Sequence, residues 1–202
     1  MKMVEGAVKA SPDETRARIL ASAREIFALK GTRGTTTREV ADRAGVNEAT
    51  VFRHFGTKHA LLHAMLDQYC ESRDQIGASM EQISGTLEEQ LRTMGHTAID
   101  GIKRKEDLIR IGLAEQVTDP DASAMTWRTP AGALSLISDF MRRRIDNGEL
   151  QGDPVALARI FMSFWFTYVL ARKIWGLPDD PAQRDTVVKQ CVDIFLNGAR
   201  AR

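Results

Sequence analysis

Apolar positions recur along this chain at spacings of three and four, the period of a helix with one buried face. Ile19, Leu20, Ala23, Ile26 and Phe27 form the first such stripe. Ser11-Pro12-Asp13-Glu14 precedes it. Ser11 is a cap, Pro12 fits the first helical position, and Glu14 closes a capping box. Gly31 marks the end. Thr36 to Glu39 is a second capping box, opening a short helix that Gly45 breaks. Asn47 caps a third short helix, ending near His54-Phe55-Gly56. Thr57 caps a fourth, with Leu61, Leu62, Met65, Leu66 and Tyr69 on one face.

The later pattern stays helical. Leu87, Leu91, Met94, Ala98 and Ile102 share a face. Leu108 to Gln116 reads as a short helix, ended by Asp119-Pro120-Asp121. Leu134, Ile137, Met141 and Ile145 form a stripe stopped by Asn147-Gly148. Asp153-Pro154 and Asp180-Pro181 are capping residues followed by proline, and each opens a helix. Val187, Val188, Cys191, Val192 and Phe195 make the last stripe. The pattern predicts an all-α fold of about nine helices. Ile160 to Ala171 is uncharged and apolar on every side. It is shorter than the ~20 residues a membrane span needs, so a buried helix is expected. One face would meet the core and the other a partner chain.

Composition adds limits. The 202 residues are 43% hydrophobic and 27% charged, which excludes global disorder. The length allows one domain, or a small domain joined to a larger one. With 28 basic and 27 acidic residues the net charge is +1. The halves of that balance separate along the chain: residues 1–60 hold eleven Lys/Arg against seven Asp/Glu. A basic first third on an acidic body suits a nucleic-acid-binding head. Two cysteines, Cys70 and Cys191, exclude a disulfide framework and fit a reducing compartment. Met1 to Ala10 is polar, without an apolar stretch of signal-peptide length, so a cytoplasmic protein without membrane contact is expected.

The informative segment is Thr36 to Lys58, TTREVADRAGVNEATVFRHFGTK. Two short helices flank Gly45 at helix-turn-helix spacing. Ala41 and Val51 suit the apolar joint, and Ala44-Gly45 the tight turn. Val51 and Phe55, four apart, face inward. Asn47, Glu48, Ala49, Thr50, Arg53 and His54 are small or polar and offer a surface to a major groove. Asn and Arg reach base edges in pairs of hydrogen bonds, and Thr and Ala methyls fit the thymine methyl. Thr36, Thr37 and Lys58 sit at helix starts, where free N–H groups and the ammonium hold phosphate.

These residues also carry a resemblance. ILASAREIFALKG followed by TTTREVADRAGVNEATVFRHFGTKHALLHAML is similar to the N-terminal domain of the tetracycline-repressor (TetR) family of bacterial regulators. The shared pattern is F-x-x-x-G, then T-x-x-x-V-A-x-x-A-G-V, then T-x-[FY]-x-[HY]-F-x-x-K-x-x-L. The resemblance implies a helix-turn-helix domain over residues 11–58, extending to about 72 with a linking helix, and an effector-binding and dimerisation domain over 59–202. It implies a homodimeric repressor released from a palindromic operator by a small molecule. By position, the DNA contacts fall on Thr37, Asn47, Glu48, Ala49, Thr50, Phe52, Arg53, His54 and Lys58. Phe52 departs from the common Tyr and has no hydroxyl for a phosphate. Glu48 is acidic where Lys or Pro is common. It either accepts from cytosine N4 or is a helix N-terminal charge facing the macrodipole; the second is favoured.

The expected effector is apolar or aromatic, lined by Met94, His96, Ile99, Leu113, Trp127, Phe140, Met141, Trp165 and Phe166. The family pairs its last two helices with their mates, which places a dimer interface on Ile160, Phe161, Phe164, Tyr168, Val188, Cys191, Val192 and Phe195. His59 and His63 are four apart, with His54 and Cys70 nearby in sequence. The Glu of an HExxH site is absent, so His59 is expected to be exposed, His63 packed at a domain boundary, and no metal bound. Arg142-Arg143-Arg144 reads as a cationic helix end. No nucleophile elbow, phosphate loop or paired-carboxylate site appears, so neither an enzyme nor a cofactor is expected. The alternative is a helical small-molecule-binding protein without operator binding.

Overall fold

Ser11 opens the first helix as its spacing predicts: its Oγ accepts from the Glu14 N–H at 3.1 Å, and its own N–H donates to Glu14 Oε2 at 2.7 Å. The computed structural model describes residues 11–70, 73–177 and 180–199, and the polar first ten residues lie outside them. Ten helices occur among the described residues: α1 Pro12–Lys30, α2 Thr37–Ala44, α3 Glu48–Phe55, α4 Lys58–Tyr69, α5 Arg73–Glu81, α6 Leu87–Arg104, α7 Glu106–Glu115, α8 Pro120–Asp146, α9 Pro154–Ile174 and α10 Pro181–Ala199. The expected all-α class holds. α5 is an addition to the expected set. α8 is one 27-residue helix that continues through Pro130, where a separate later helix was expected.

The chain divides into two compact units. The first holds residues up to Tyr69 together with Asp107–Thr126. Its core contains Ile19, Leu20, Ala23 and Phe27 of α1, Val40 and Ala41 of α2, Val51 of α3, and Leu61, Leu62, Met65 and Leu66 of α4. Leu108 and Ile111 of α7 and Ala122 of α8 join the same cluster. The unit therefore takes in residues that sequence order assigned to the second domain. Arg24 clamps this arrangement, donating to both oxygens of Asp107 at 2.5 and 2.8 Å while lying 4.7 Å from the Tyr69 ring centroid. Burying each large side chain here is worth about 1.5–3 kcal/mol.

The second unit holds Cys70–Glu106 and Trp127–Arg202. Leu91 and Ile99 of α6, Met141 of α8, Phe161 and Trp165 of α9, and Val188, Val192 and Phe195 of α10 meet in its core. Gly95 is needed here. A Cβ at that position would lie 2.8 Å from Trp165 Cζ2, so only glycine lets α6 lie against the indole. Phe161 meets Trp165 and Phe195 edge-on, each at 5.4 Å between centroids. By length and composition α9 is apolar enough to cross a bilayer. Its Ala158, Phe161, Trp165 and Val169 are instead buried in this core.

Candidate nucleic-acid interface

Gly45 sets the joint of the helix-turn-helix. It takes a left-handed conformation, φ 65° and ψ 39°. The Val46 N–H then donates to Ala41 O at 3.0 Å and the Gly45 N–H to Asp42 O at 3.3 Å, a Schellman closure. Val40, Ala41, Ala44 and Val51 bury the inner faces. Asn47 caps α3, its Oδ1 accepting from the Thr50 N–H at 2.8 Å and the Thr50 hydroxyl at 2.7 Å.

With the inner face fixed by Val51, the opposite face of α3 is turned to solvent. Asn47, Ala49, Phe52 and Arg53 are exposed, and Thr50 and His54 are half-buried. Arg53 has no partner among the described residues. Glu48 is occupied: Thr37 Oγ1 donates to its Oε1 at 2.6 Å, tying the first turn of α3 to the first turn of α2. That bond engages the Thr37 hydroxyl as well. Thr36 is exposed and caps α2, its Oγ accepting from the Glu39 N–H at 3.2 Å.

Lys58 is more constrained than its sequence position implied. Its Nζ donates to Thr32 O at 2.8 Å and Thr35 O at 2.9 Å, bracing the loop before α2. An ammonium has three donors, so two serve the loop. The Thr32 hydroxyl in turn donates to buried Glu115 of α7. Glu39 also anchors this corner. Its ion pair with Lys30 at 2.5 Å, together with the Thr36 N–H and hydroxyl, lowers its carboxyl to about 2.

Sequence reasoning passed over Arg38, exposed in the first turn of α2. A cation at a helix N-terminus opposes the macrodipole.

The expected effector residues are not gathered into one wall. Ile99, Met141 and Trp165 are core at 0–1% exposure. Trp127 and Phe166 meet at 6.2 Å between centroids. Leu113 belongs to the first unit and is 45% exposed. The His96 carbonyl accepts from Arg184 at 3.0 Å, and burial, with the Arg184 charge, lowers the imidazole's pKa. Met94 and Phe140 do line an open recess of about 310 Å³ in the second unit, with Met80, Ile83, Arg143 and Arg144.

Of the expected interface residues, Phe161, Val188, Val192 and Phe195 are buried inside the protomer's own core at 0–5% exposure. They have no face left for a partner. Ile160 is half-exposed, and Phe164, Tyr168 and Cys191 are half-buried. Ile160, Phe164 and Tyr168 lie four apart and share one stripe of α9. On α10 the matching outward position is Ile194, 67% exposed, which sequence reasoning missed. The signal was present one helical step from Cys191.

A capped second helix with its outer face open to solvent, on a small helical unit, is the arrangement of a helix-turn-helix. The family profile described as "Bacterial regulatory proteins, tetR family" matches residues 19–65, and that of the "AefR-like transcriptional repressor, C-terminal domain" matches residues 89–198. The chain belongs to the TetR family of transcriptional regulators. It is 30% identical to the uncharacterized HTH-type transcriptional regulator YvkB of Bacillus subtilis, over 93% of this chain and 98% of that one. Its fold is similar to that of the fatty acid degradation regulator FadR of Bacillus halodurans, with a TM-score of 0.68 and 17% identity over 96% of this chain and 100% of that one. It is also similar to NalD, the secondary repressor of the MexAB-OprM multidrug efflux pump in Pseudomonas aeruginosa. There the TM-score is 0.67 and the identity 20%, over 94% of this chain and 98% of that one.

Proposed function

We propose that the protein is a cytoplasmic homodimeric repressor, without catalytic activity, that holds a palindromic operator and releases it on binding a small apolar or aromatic molecule. The observation that carries the DNA reading is the outward face of α3. Glu48 and the Asn47 carbonyl oxygen are engaged as structural ties, while Ala49, Phe52 and Arg53 stand exposed. Arg53 and the Asn47 amide read base edges. Ala49 and Phe52 press on thymine methyls, and Thr36, Arg38 and the third donor of Lys58 take phosphates.

Two observations support the effector reading. The recess beside Met94 and Phe140 sets Met80 and Ile83 against polar groups, Glu81, Gln90, Arg143, Arg144 and Asn147. The Trp165 indole N–H is buried with no acceptor among the described residues, an unpaired donor that a ligand oxygen would satisfy. The two α3 helices of a dimer must reach successive major grooves. A ligand favouring another separation shifts the population away from the operator. A gel shift with duplex from the gene's own upstream region tests the reading. Retardation that excess unrelated DNA does not abolish supports it, and equal competition by unrelated DNA overturns it.

A further inference from the structure

We propose that His59, His63 and Asp119 form a binding site for one divalent transition-metal ion of the zinc type, between the first turns of α4 and the start of α8. The three residues belong to the first compact unit. His59 and His63 are one turn apart on α4 and place their rings side by side, 4.1 Å between centroids. Both Nε2 atoms point at the same carboxylate oxygen. His59 Nε2 lies 2.8 Å and His63 Nε2 3.2 Å from Asp119 Oδ2.

That spacing is what a shared ion requires. Zinc binds His nitrogen and carboxylate oxygen at about 2.0–2.2 Å, so the ligands of a tetrahedral site stand roughly 3–3.5 Å from each other. All three donor atoms already lie within 4.8 Å of one another. Small rotations of the two imidazoles bring in the ion without moving backbone. The other oxygen of Asp119 is fixed by the Ala122 N–H at 3.0 Å, which aims Oδ2 at the rings. Burial pushes this carboxyl up; the Ala122 N–H, the His63 hydrogen bond and the two imidazole charges outweigh it and hold the carboxyl below its usual range.

Two imidazoles and one carboxylate select zinc, cobalt or nickel over magnesium and calcium, which want oxygen shells. The Asp119 side chain is 9% exposed and that of His59 62%, so the ion sits over a buried anchor with an open side. Three protein ligands leave a fourth position for water or an exogenous donor. Binding needs both Nε2 lone pairs, so any proton on either nitrogen must leave. His59 follows Lys58 directly, four residues beyond the end of α3. Resting on the operator reading above, occupancy would stiffen the first turn of α4, which braces the loop before α2.

The test uses tag-free full-length protein, stripped with chelator and titrated with Co²⁺, with Zn²⁺ as competitor. The expected result is a visible ligand-field band, complete at one ion per chain and erased by Zn²⁺. His59→Ala removes an exposed ligand, and Asp119→Asn keeps an oxygen for the Ala122 N–H. Each is expected to weaken Co²⁺ binding at least about tenfold, with the melting temperature of the metal-free protein unchanged for His59→Ala. No band in the wild type, or wild-type affinity in both variants, overturns the site and leaves the trio as a hydrogen-bonded clamp. A band in protein that binds no DNA under any condition would instead count against the operator reading alone.

Discussion

The operator reading proposed above places sequence recognition on Arg53. It stands outward on α3 with no partner among the described residues, and a guanidinium reads guanine O6 and N7 together. Arg53→Ala should lose roughly 1–3 kcal/mol of discrimination at a subset of base pairs. Competition between operator variants measures this, and uniform weakening across sequences would make Arg53 a backbone contact. Lys58 makes a different prediction because it also braces Thr32 O and Thr35 O. Lys58→Ala should flatten the salt dependence of DNA binding by about one unit and lower the melting temperature as well. A lowered melting temperature with an unchanged salt slope would make Lys58 a strut alone. Much at this scale was legible in the sequence: Ser11, Thr36, Asn47 and Thr57 all cap where their types and spacing placed them. The clustering of His59 and His63 with Asp119 was not. Its third member lies 56 residues on from His63, and periodicity carries no information about such a pairing.

At the scale of elements, the packing of α1, α2 and α4 around the loop 31–36 holds the recognition helix in place. Glu39 ties α2 to Lys30 of α1, with its carboxyl lowered from 4.5 to about 2. A carboxyl depressed in the folded state contributes stability above its ordinary range and loses it as it is protonated. Melting temperature should therefore fall between pH 4.5 and about 2, and Glu39→Gln should make that fall shallower. Identical pH profiles for the two proteins would remove Glu39 from the account. The outer elements show where pattern reading runs out. The run Ile160 to Ala171 of α9 carries no charge, so its pattern alone did not say which side meets α10 and which remains outside. Phe161 went to the core, while Ile160 stayed half-exposed. Asp119-Pro120 reads as a stop, yet Pro120 also opens α8, because proline fits a first helical position, and the helix runs on through Pro130 to Asp146.

At the scale of the whole molecule, a palindromic operator calls for two chains. The outward stripe Ile160, Phe164 and Tyr168 on α9 with Ile194 on α10 is the apolar surface on which they would meet. Ile194→Asp should leave the protomer folded, since the side chain is 67% exposed. Light scattering should then read one chain where the wild type reads two. A variant that remains dimeric would place the interface elsewhere. The fold class and the helix-turn-helix were legible because local spacing specifies them. The division into units was not. Leu108, Ile111 and Ala122 join the first core from beyond residue 100, and nothing local in the sequence says so. The central claim is that paired α3 helices read a duplex. Selection of bound fragments from random DNA tests it most directly. The account predicts two inverted half-sites with centres about 34–36 Å apart, or a multiple of that spacing, and altered selection by Arg53→Ala. A pool that stays random, or a lone half-site bound as tightly as the pair, would contradict it.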